Sequence, residues 1–347
     1  MSDTIHVSRR SFLTGSALAL GGAAAGAAGR APEESLEAKD IHSYEYWAHR
    51  GDVRLYLYRK CAGDANRGKS DRPVLFLAHG SSVSSRPTFD LTVPGHGEYS
   101  FMDKFAQFGY DVWTMDFEGY GRSSPSHGNS NIADGAEDLK AASAVVQEET
   151  GQDSFHVYGE SGGSLRAGMF AMNEPSRVRR LVLTAFTWTG KGSPTLEKRA
   201  TDAAYYRNHN TRPRDRDMIR SIFTRDKPGT SDPAVGEAMA DEELKFGNTT
   251  PTGTYLDMTT KLPLVDPEKL TVPVQIIRGQ YDGIASEQDI LDFFQRLPVP
   301  DRQFVILPGA AHLPALGRSR AQFWHVMRAF LDMPARVDTS VSSSERE

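Results

Sequence analysis

The chain has 347 residues, of which 39% are hydrophobic and 24% charged, and a formal net charge of -5. This length can bury one large core, with or without an inserted subdomain, and the composition is typical of a globular protein. The charge is mild and no long basic run is interleaved with aromatic residues. We therefore expect the ligand to be a small molecule and expect no nucleic-acid partner.

The first thirty residues have the composition of a targeting segment. Residues 8–13 read Ser-Arg-Arg-Ser-Phe-Leu and precede a run rich in alanine and glycine that extends to Gly29. This pattern resembles a twin-arginine export signal, with Thr14 where a lysine is common. The run is weakly apolar and short for a membrane span, so we expect residues 1–30 to be removed and no stable membrane anchor to remain. An uncleaved anchor and a disordered tail are the alternatives.

Export by this route implies the twin-arginine export machinery as a partner and a periplasmic or secreted mature protein. Cys61 is the only cysteine of the sequence, so no internal disulfide can form. A CxxC motif and a Cys/His cluster are absent from the sequence. The pattern therefore predicts neither a metal site nor a cofactor.

Residues 31–42 are polar and acidic, and are expected to link the signal to the fold. Two alternating segments around Gly51 predict a β-hairpin. Short apolar runs then alternate with longer helical patterns, which predicts an α/β fold with a mostly parallel sheet covered on both faces. The predicted strands are 74–78, 112–116, 155–158, 181–186, 274–277 and 304–307, and the predicted helices are 101–108, 132–149, 164–173, 287–296 and 321–331.

One interval departs from this alternation of strands and helices. About 80 residues separate the predicted strands 181–186 and 274–277, far more than a simple crossover needs. We expect residues 191–269 to form an inserted helical cap. The core is then made of residues 43–190 and 270–333. The polar, serine-rich residues 334–347 are expected to be a disordered tail.

Residues 159–163 read Gly-Glu-Ser-Gly-Gly and stand between a predicted strand and a predicted helix. A serine on such a sharp turn is lifted towards a cleft, with small neighbours that let strand and helix cross closely. Ser161 is therefore a candidate nucleophile. Its hydroxyl needs a general base and an anion site to react at neutral pH.

The base and its acidic partner are expected in loops at the carboxyl ends of later strands. His312 follows the last predicted strand, whereas His325 lies within the last helix and His156 within a strand. Asp282 follows the preceding strand beside a turn-forming glycine. The sequence therefore predicts that Ser161, Asp282 and His312 act together.

An anionic tetrahedral intermediate also needs hydrogen-bond donors. The amide of Gly162, directly after the nucleophile, is one candidate. The loop after the first parallel strand reads His-Gly-Ser-Ser at 79–82 and supplies the second, expected from the amide of Ser81, with Ser82 as the alternative. A simple turn at His79-Gly80 is the structural alternative.

This chain order, together with Asp-Phe-Glu-Gly-Tyr-Gly-Arg-Ser at 116–123, resembles the α/β-hydrolase family over residues 43–333. The resemblance implies an eight-stranded, mostly parallel sheet, a Ser-His-Asp triad and a helical cap. Glu160 is similar to the carboxylesterase and lipase branch, but that branch often has His-Gly-Gly-Gly where this chain has His-Gly-Ser-Ser. Proline iminopeptidases share the Ser-x-Gly-Ser stretch at 161–164, but not the oxyanion loop. We expect Glu160 to be a buried hydrogen-bonding residue rather than a catalytic acid.

The expected activity is cleavage of a carboxylic ester or lactone through an acyl-enzyme on Ser161, without a cofactor. An aminopeptidase or other amidase and a C–C bond hydrolase are alternatives on the same fold, and a non-catalytic ligand-binding protein is a remote one. A peptidase acting at a free N-terminus would need carboxylates facing the site, and the acidic run at 237–243 is the candidate source. Substrate contacts are expected from aromatic side chains, namely Trp188 close to a strand end, and Tyr205 and Tyr255 of the cap.

Overall fold

The computed structural model describes residues 40–65, 69–125 and 127–334. The expected export signal, almost all of the expected linker and nearly all of the expected tail lie outside these residues. Ile41 already begins the first strand, so the fold starts two residues before the predicted boundary at residue 43. Within the described residues, no helix combines the length and the apolar content needed to cross a membrane.

In the part of the chain that the structure describes, ten strands form two sheets, and eight of them make the central sheet. The strands are β1 (Ile41–Arg50), β2 (Val53–Ala62), β3 (Val74–Ala78), β4 (Asp111–Met115), β5 (Phe155–Glu160), β6 (Val178–Thr184), β7 (Thr211–Pro213), β8 (Thr249–Pro251), β9 (Val274–Gly279) and β10 (Arg302–Leu307). The order in the central sheet is β1-β2-β4-β3-β5-β6-β9-β10. Strand β2 is antiparallel to β1 and β4, and the other neighbours are parallel. This is the predicted α/β architecture.

Eleven α-helices are described, and those of the core cover both faces of the sheet. They are α1 (Ser85–Phe89), α2 (Phe101–Gln107), α3 (Ile132–Thr150), α4 (Gly162–Asn173), α5 (Pro194–Ala200), α6 (Ala203–Asn208), α7 (Arg216–Thr224), α8 (Pro233–Glu243), α9 (Gly253–Thr260), α10 (Glu287–Arg296) and α11 (Arg320–Leu331). Helices α3, α4 and α10 share one apolar cluster with the sheet, and α2 and α11 share the other. Parallel strands covered in this way are buried on both sides, which explains their continuous apolar sequences.

The interval between β6 and β9, which the sequence analysis interprets as a helical cap, contains α5 to α9 and also the short antiparallel ribbon β7–β8. Apolar residues of α7 and α8 form a third buried cluster with the segment that follows β3. Ile219, Val235 and Met239 from the cap meet Val83 and Leu91 there. This packing places the cap over the ends of β3 and β10, where the candidate site lies.

Candidate active site

Ser161 lies on the sharp turn between β5 and α4, with φ 56° and ψ −120°. Residues other than glycine rarely adopt a positive φ, and holding one there costs about 1–3 kcal/mol. The turn is fixed because Ser161 donates its amide to Thr184 O at 2.9 Å. A Cβ on Gly159 would lie only 2.5 Å from Gly163 O, so the strand and helix can cross this closely only without a side chain there.

His312 joins Ser161 to Asp282. Its Nε2 lies 3.1 Å from Ser161 Oγ, and its Nδ1 lies 2.8 Å from Asp282 Oδ1. An ionised carboxylate only accepts hydrogen bonds, so Nδ1 carries the proton and Nε2 is left as an acceptor for the serine hydroxyl. The three residues that the sequence predicts as a group therefore form one continuous hydrogen-bonded chain.

Asp282 is buried and ionised. Burial opposes its negative charge, but the neighbouring His312 and the hydrogen bonds from His312 and the amide of Ile284 outweigh burial, so the pKa of Asp282 lies below its usual value. A carboxylate in this state holds the imidazole in one orientation and stabilises the positive charge when the ring takes up a proton.

The loops after β9 and β10, which carry Asp282 and His312, are bonded to one another. Tyr281 donates its amide to Ala310 O at 2.9 Å, and Gln280 donates its amide to Leu307 O at 3.0 Å. A Cβ on Gly279 would collide with the carbonyl of Ala311. The small residue at that position thus lets the two loops approach closely enough for the acid and the base to meet.

The residues of the two predicted oxyanion donors lie next to one another beside the nucleophile. Gly162 is the first residue of α4, so its amide has no acceptor within the helix. The amide nitrogen of Ser81 lies 3.4 Å from the place a Cβ of Gly162 would take. Gly80, Ser81, Ser161 and His312 all line one small cavity. The two amides thus lie close together beside Ser161, as the donors of an oxyanion site must.

His79 shapes the loop that carries Ser81. It is fully buried; its Nδ1 lies 2.8 Å from Gly80 O, and its Nε2 accepts the amide of Phe117 at 3.2 Å. Burial, with a contribution from the positive charge of Arg166, lowers the pKa of His79 to about 3. The imidazole is therefore neutral, and its hydrogen bond with Phe117 connects the loop after β3 to the loop after β4.

The profile of the serine aminopeptidase S33 family, Hydrolase_4, matches residues 93–316, which is more than half of the chain. The chain belongs to this family. It also has the α/β-hydrolase fold, as its sheet order and its structural neighbours show. No curated protein sequence matches the chain.

The solved structures that are similar to this S33-family chain are those of proteins with different named activities. They include E-2-(acetamidomethylene)succinate hydrolase, with a TM-score of 0.61, 18% identity and coverage of 84% of this chain and 100% of that one. An esterase from Thermogutta terrifontis has a TM-score of 0.60, 18% identity and coverage of 84% and 98%. A thioesterase domain from the curacin biosynthetic pathway has a TM-score of 0.56, 15% identity and coverage of 83% and 99%. At such identities the likeness shows the fold alone.

Glu160 of this S33-family member lies directly before the nucleophile and is buried. Burial, and secondarily the nearby charge of Asp282, raises the pKa of Glu160 to about 8. Tyr158 donates its hydroxyl to Glu160 Oε2 at 3.2 Å. The side chain is thus mainly protonated at neutral pH and lies beside the hydrogen-bonded chain rather than within it.

The structure brings one of the three predicted aromatic contacts to the site. Tyr255 is fully buried, lines a cavity under the cap and lies with its hydroxyl 2.6 Å from Ser82 Oγ. Trp188 packs against Phe293 of α10 instead, and does not line either cavity of the site. Tyr205 stacks on His209 and is 38% exposed. Neither Trp188 nor Tyr205 lines the two cavities, so their contact with a substrate stays a prediction.

The acidic run at 237–243 also points away from the site. Glu237 and Asp241 pair with Arg216 on the cap surface, and Glu243 is buried against Arg214 and Ser84. The run therefore supplies no carboxylate to the two cavities.

The structure also places at the site several cap residues that the sequence analysis did not single out. Arg199 and Arg225 line both the cavity at Ser161 and the larger one under the cap, and Asp226 lies beside Gly283. These residues come from different helices and loops with no shared motif.

Ligand atoms of Asp226, Asp282 and His312 lie within 4.8 Å of one another, a spacing that a metal ion could use. Both nitrogens of His312 are already engaged, one with Asp282 and the other with Ser161. A metal would have to break that chain to gain a nitrogen ligand. The geometry thus fits a proton relay better than a metal centre.

Proposed function

We propose that this protein is an exported serine hydrolase that cleaves a carboxylic ester or lactone through an acyl-enzyme on Ser161. The observation that carries the proposal is the hydrogen-bonded chain from Ser161 through His312 to Asp282. The closeness of Gly162 and Ser81, whose amides are the proposed oxyanion donors, supports it further.

In the proposed reaction, Ser161 Oγ attacks the ester carbonyl while His312 Nε2 takes the hydroxyl proton. The carbonyl oxygen becomes an anion and accepts hydrogen bonds from the amides of Gly162 and Ser81. His312 then gives the proton to the departing alcohol oxygen, which leaves an acyl group on Ser161. Water, deprotonated by the same imidazole, releases the acid and restores the serine.

Cleavage of an aminoacyl amide is the second candidate, since the family is described as serine aminopeptidases. An enzyme that binds a free amino group needs negative charge around it. The cap places arginine side chains at the cavity next to Ser161, and the acidic run lies elsewhere. This charge distribution favours the ester over the aminoacyl substrate.

Labelling with a fluorophosphonate followed by peptide mass spectrometry tests the proposal. The expected result is one modified residue, Ser161, and loss of turnover of short p-nitrophenyl esters in proportion to labelling. Turnover of an aminoacyl p-nitroanilide that exceeds turnover of the esters would favour the peptidase instead. A protein that is neither labelled nor active on either substrate would contradict the proposal.

Export is part of the proposal and rests on the Arg9-Arg10 pair ahead of the apolar run. Cell fractionation with an immunoblot tests it. The full-length protein is expected in the periplasm or medium in a shortened form, and Arg9→Lys combined with Arg10→Lys is expected to retain it in the cytoplasm. Unchanged distribution of that double variant would contradict twin-arginine export.

A further inference from the structure

A cavity of about 500 Å³ lies under the cap beside the nucleophile. It shares Ser82, Arg199 and Arg225 with the smaller cavity that contains Ser161 and His312. A group bound in the larger space is therefore adjacent to the reacting serine. The proposed reaction itself uses none of the charged side chains that line this space.

Positive charge dominates the lining of this cap cavity. Four basic side chains line it against two carboxylates, an excess of two positive charges. The charged residues are Lys198, Arg199, Arg212, Arg225, Asp202 and Asp226. Substrate-sized cavities with a single sign of charge in excess attract ligands of the opposite sign.

Two of these arginines, Arg199 and Arg212, lack carboxylate partners among the residues that the structure describes, whereas Arg225 has one in Asp226. Among the described parts of the chain, Arg199 and Arg212 make no ion pair, and Arg225 Nε lies 3.7 Å from Asp226 Oδ1. The guanidinium groups of Arg199 and Arg212 lie 5.0 Å and 4.9 Å from the ring of Tyr255. The ring of Tyr255 thus packs near both guanidinium groups without supplying a carboxylate to either.

Among the arginines of the cap cavity, Arg199 has the least favourable surroundings for its positive charge. Its Nη1 is buried and has no hydrogen-bond partner within the described residues. Burial, and then the positive charges of Arg225 and Arg212, lowers the pKa of Arg199 to about 10. An unpaired guanidinium in such a place is unfavourable, and an anion that accepts its hydrogen bonds removes the penalty.

We propose that the ester cleaved at Ser161 carries a carboxylate, which the cap cavity binds through the guanidinium groups of Arg199 and Arg225. This inference rests on the proposed hydrolase function. A carboxylate can accept two parallel hydrogen bonds from one guanidinium group. Asp202 and Asp226 limit the excess positive charge in the cavity, which favours a singly charged carboxylate over a doubly charged phosphate.

The test compares two p-nitrophenyl esters that differ in one charge. The first is the p-nitrophenyl monoester of glutaric acid, and the second is the same compound with its free carboxylate methylated. We expect wild-type kcat/KM to be at least tenfold higher for the charged ester. Arg199→Gln is expected to lower this ratio at least tenfold, and Arg199→Lys to restore part of it. Arg207→Gln, on the exposed face of α6, is the matched control and is expected to keep the wild-type ratio.

Calorimetric titration of monomethyl glutarate, which carries a single carboxylate, gives a readout that needs no turnover. Ser161→Ala protein is expected to bind monomethyl glutarate, and the added Arg199→Gln is expected to weaken binding at least tenfold. Thermal unfolding checks that each variant is folded, and Arg225→Gln provides a second substitution if Arg199→Gln does not fold.

The outcomes separate the two proposals. A wild-type ratio near one with normal turnover and labelling of Ser161 would overturn the carboxylate inference and leave the hydrolase standing. A higher rate with an aminoacyl ester, or tighter binding of glycerol phosphate than of monomethyl glutarate, would also overturn it. Binding of monomethyl glutarate that depends on Arg199, in a protein that hydrolyses neither ester, would support the anion site and contradict the hydrolase.

Discussion

Ser84 donates both its amide and its hydroxyl to one carboxylate oxygen of Glu243, at 2.9 Å and 2.5 Å. Ser84 belongs to the loop that carries the candidate oxyanion donor Ser81, and Glu243 ends helix α8 of the cap. The other oxygen of Glu243 pairs with Arg214, which also donates to Ser82 O. The cap therefore holds the oxyanion loop directly, in addition to covering it.

Glu243→Gln is expected to loosen this attachment. The substitution leaves the buried Arg214 without its counter-charge, and breaking such a pair costs about 3–5 kcal/mol. We expect a lower melting temperature and a fall of kcat/KM for p-nitrophenyl esters of about tenfold or more, because the Ser81 amide is less well positioned. Glu242→Gln is the control, since that neighbour is half-exposed, and unchanged activity of Glu243→Gln would show that the contact does not position the loop.

Glu160→Gln is expected to change the alkaline side of the pH profile. With a pKa of about 8, Glu160 of the wild-type protein ionises as the pH rises through that value. A negative charge beside Ser161 opposes formation of the oxyanion, so wild-type kcat/KM is expected to fall above about pH 8. The glutamine cannot ionise, so this fall is expected to disappear. Identical profiles for the two proteins would contradict the assignment.

The same substitution has a predictable effect on stability. The pKa of Glu160 is higher in the folded state than in the unfolded one, so between about pH 4.5 and 8 only the unfolded chain loses the proton. The free energy of unfolding then falls as the pH rises, by on the order of 1.4 kcal/mol per pH unit. Urea titrations across this range are expected to show a shallower pH dependence for Glu160→Gln than for the wild type.

Asp282→Asn is expected to abolish most of the activity without unfolding the protein. An amide cannot hold His312 in the tautomer that leaves Nε2 as an acceptor, and a loss of about 10³–10⁴ in kcat is typical for that change. Asp226→Asn is the control, because that carboxylate lies close to His312 without bonding to it. Equal losses for the two variants, measured as initial rates on one ester, would contradict the assigned roles.

Asp111→Ala tests the sheet that supports the site. The two oxygens of Asp111 accept hydrogen bonds from Arg59 at 2.8 Å and 2.5 Å, and both side chains are fully buried. Removing the acid leaves an unpaired buried charge, which is expected to lower the free energy of unfolding by about 3–5 kcal/mol. Asp217→Ala removes one of the two carboxylate partners of Arg220 on the exposed surface of α7 and is expected to leave the unfolding midpoint unchanged.

The strands and most core helices could be predicted from the sequence because each carries its own pattern. The strand at Val74–Ala78 and the helix at Glu287–Arg296 have the predicted bounds. Ser161, Asp282 and His312 could be grouped because each follows a strand, and strand ends of a parallel sheet meet at one edge. Local sequence and a simple rule of topology were enough for these features.

The cap could not be predicted to the same depth. Its β7–β8 ribbon has three residues in each strand, too few for an alternating pattern to be recognised. The orientation of an aromatic side chain depends on contacts with distant elements, such as that of Trp188 with Phe293. Arg199, Arg212 and Arg225 are separated along the chain and meet only through the packing of the cap.

The most direct test of the central claim is the initial rate of ester hydrolysis by Ser161→Ala, compared with wild type at equal protein concentration and with folding checked by circular dichroism. If Ser161 forms the acyl-enzyme, kcat/KM is expected to fall by at least about 10³-fold, to the level that the remaining site supports. A rate within threefold of wild type would show that Ser161 is not the nucleophile.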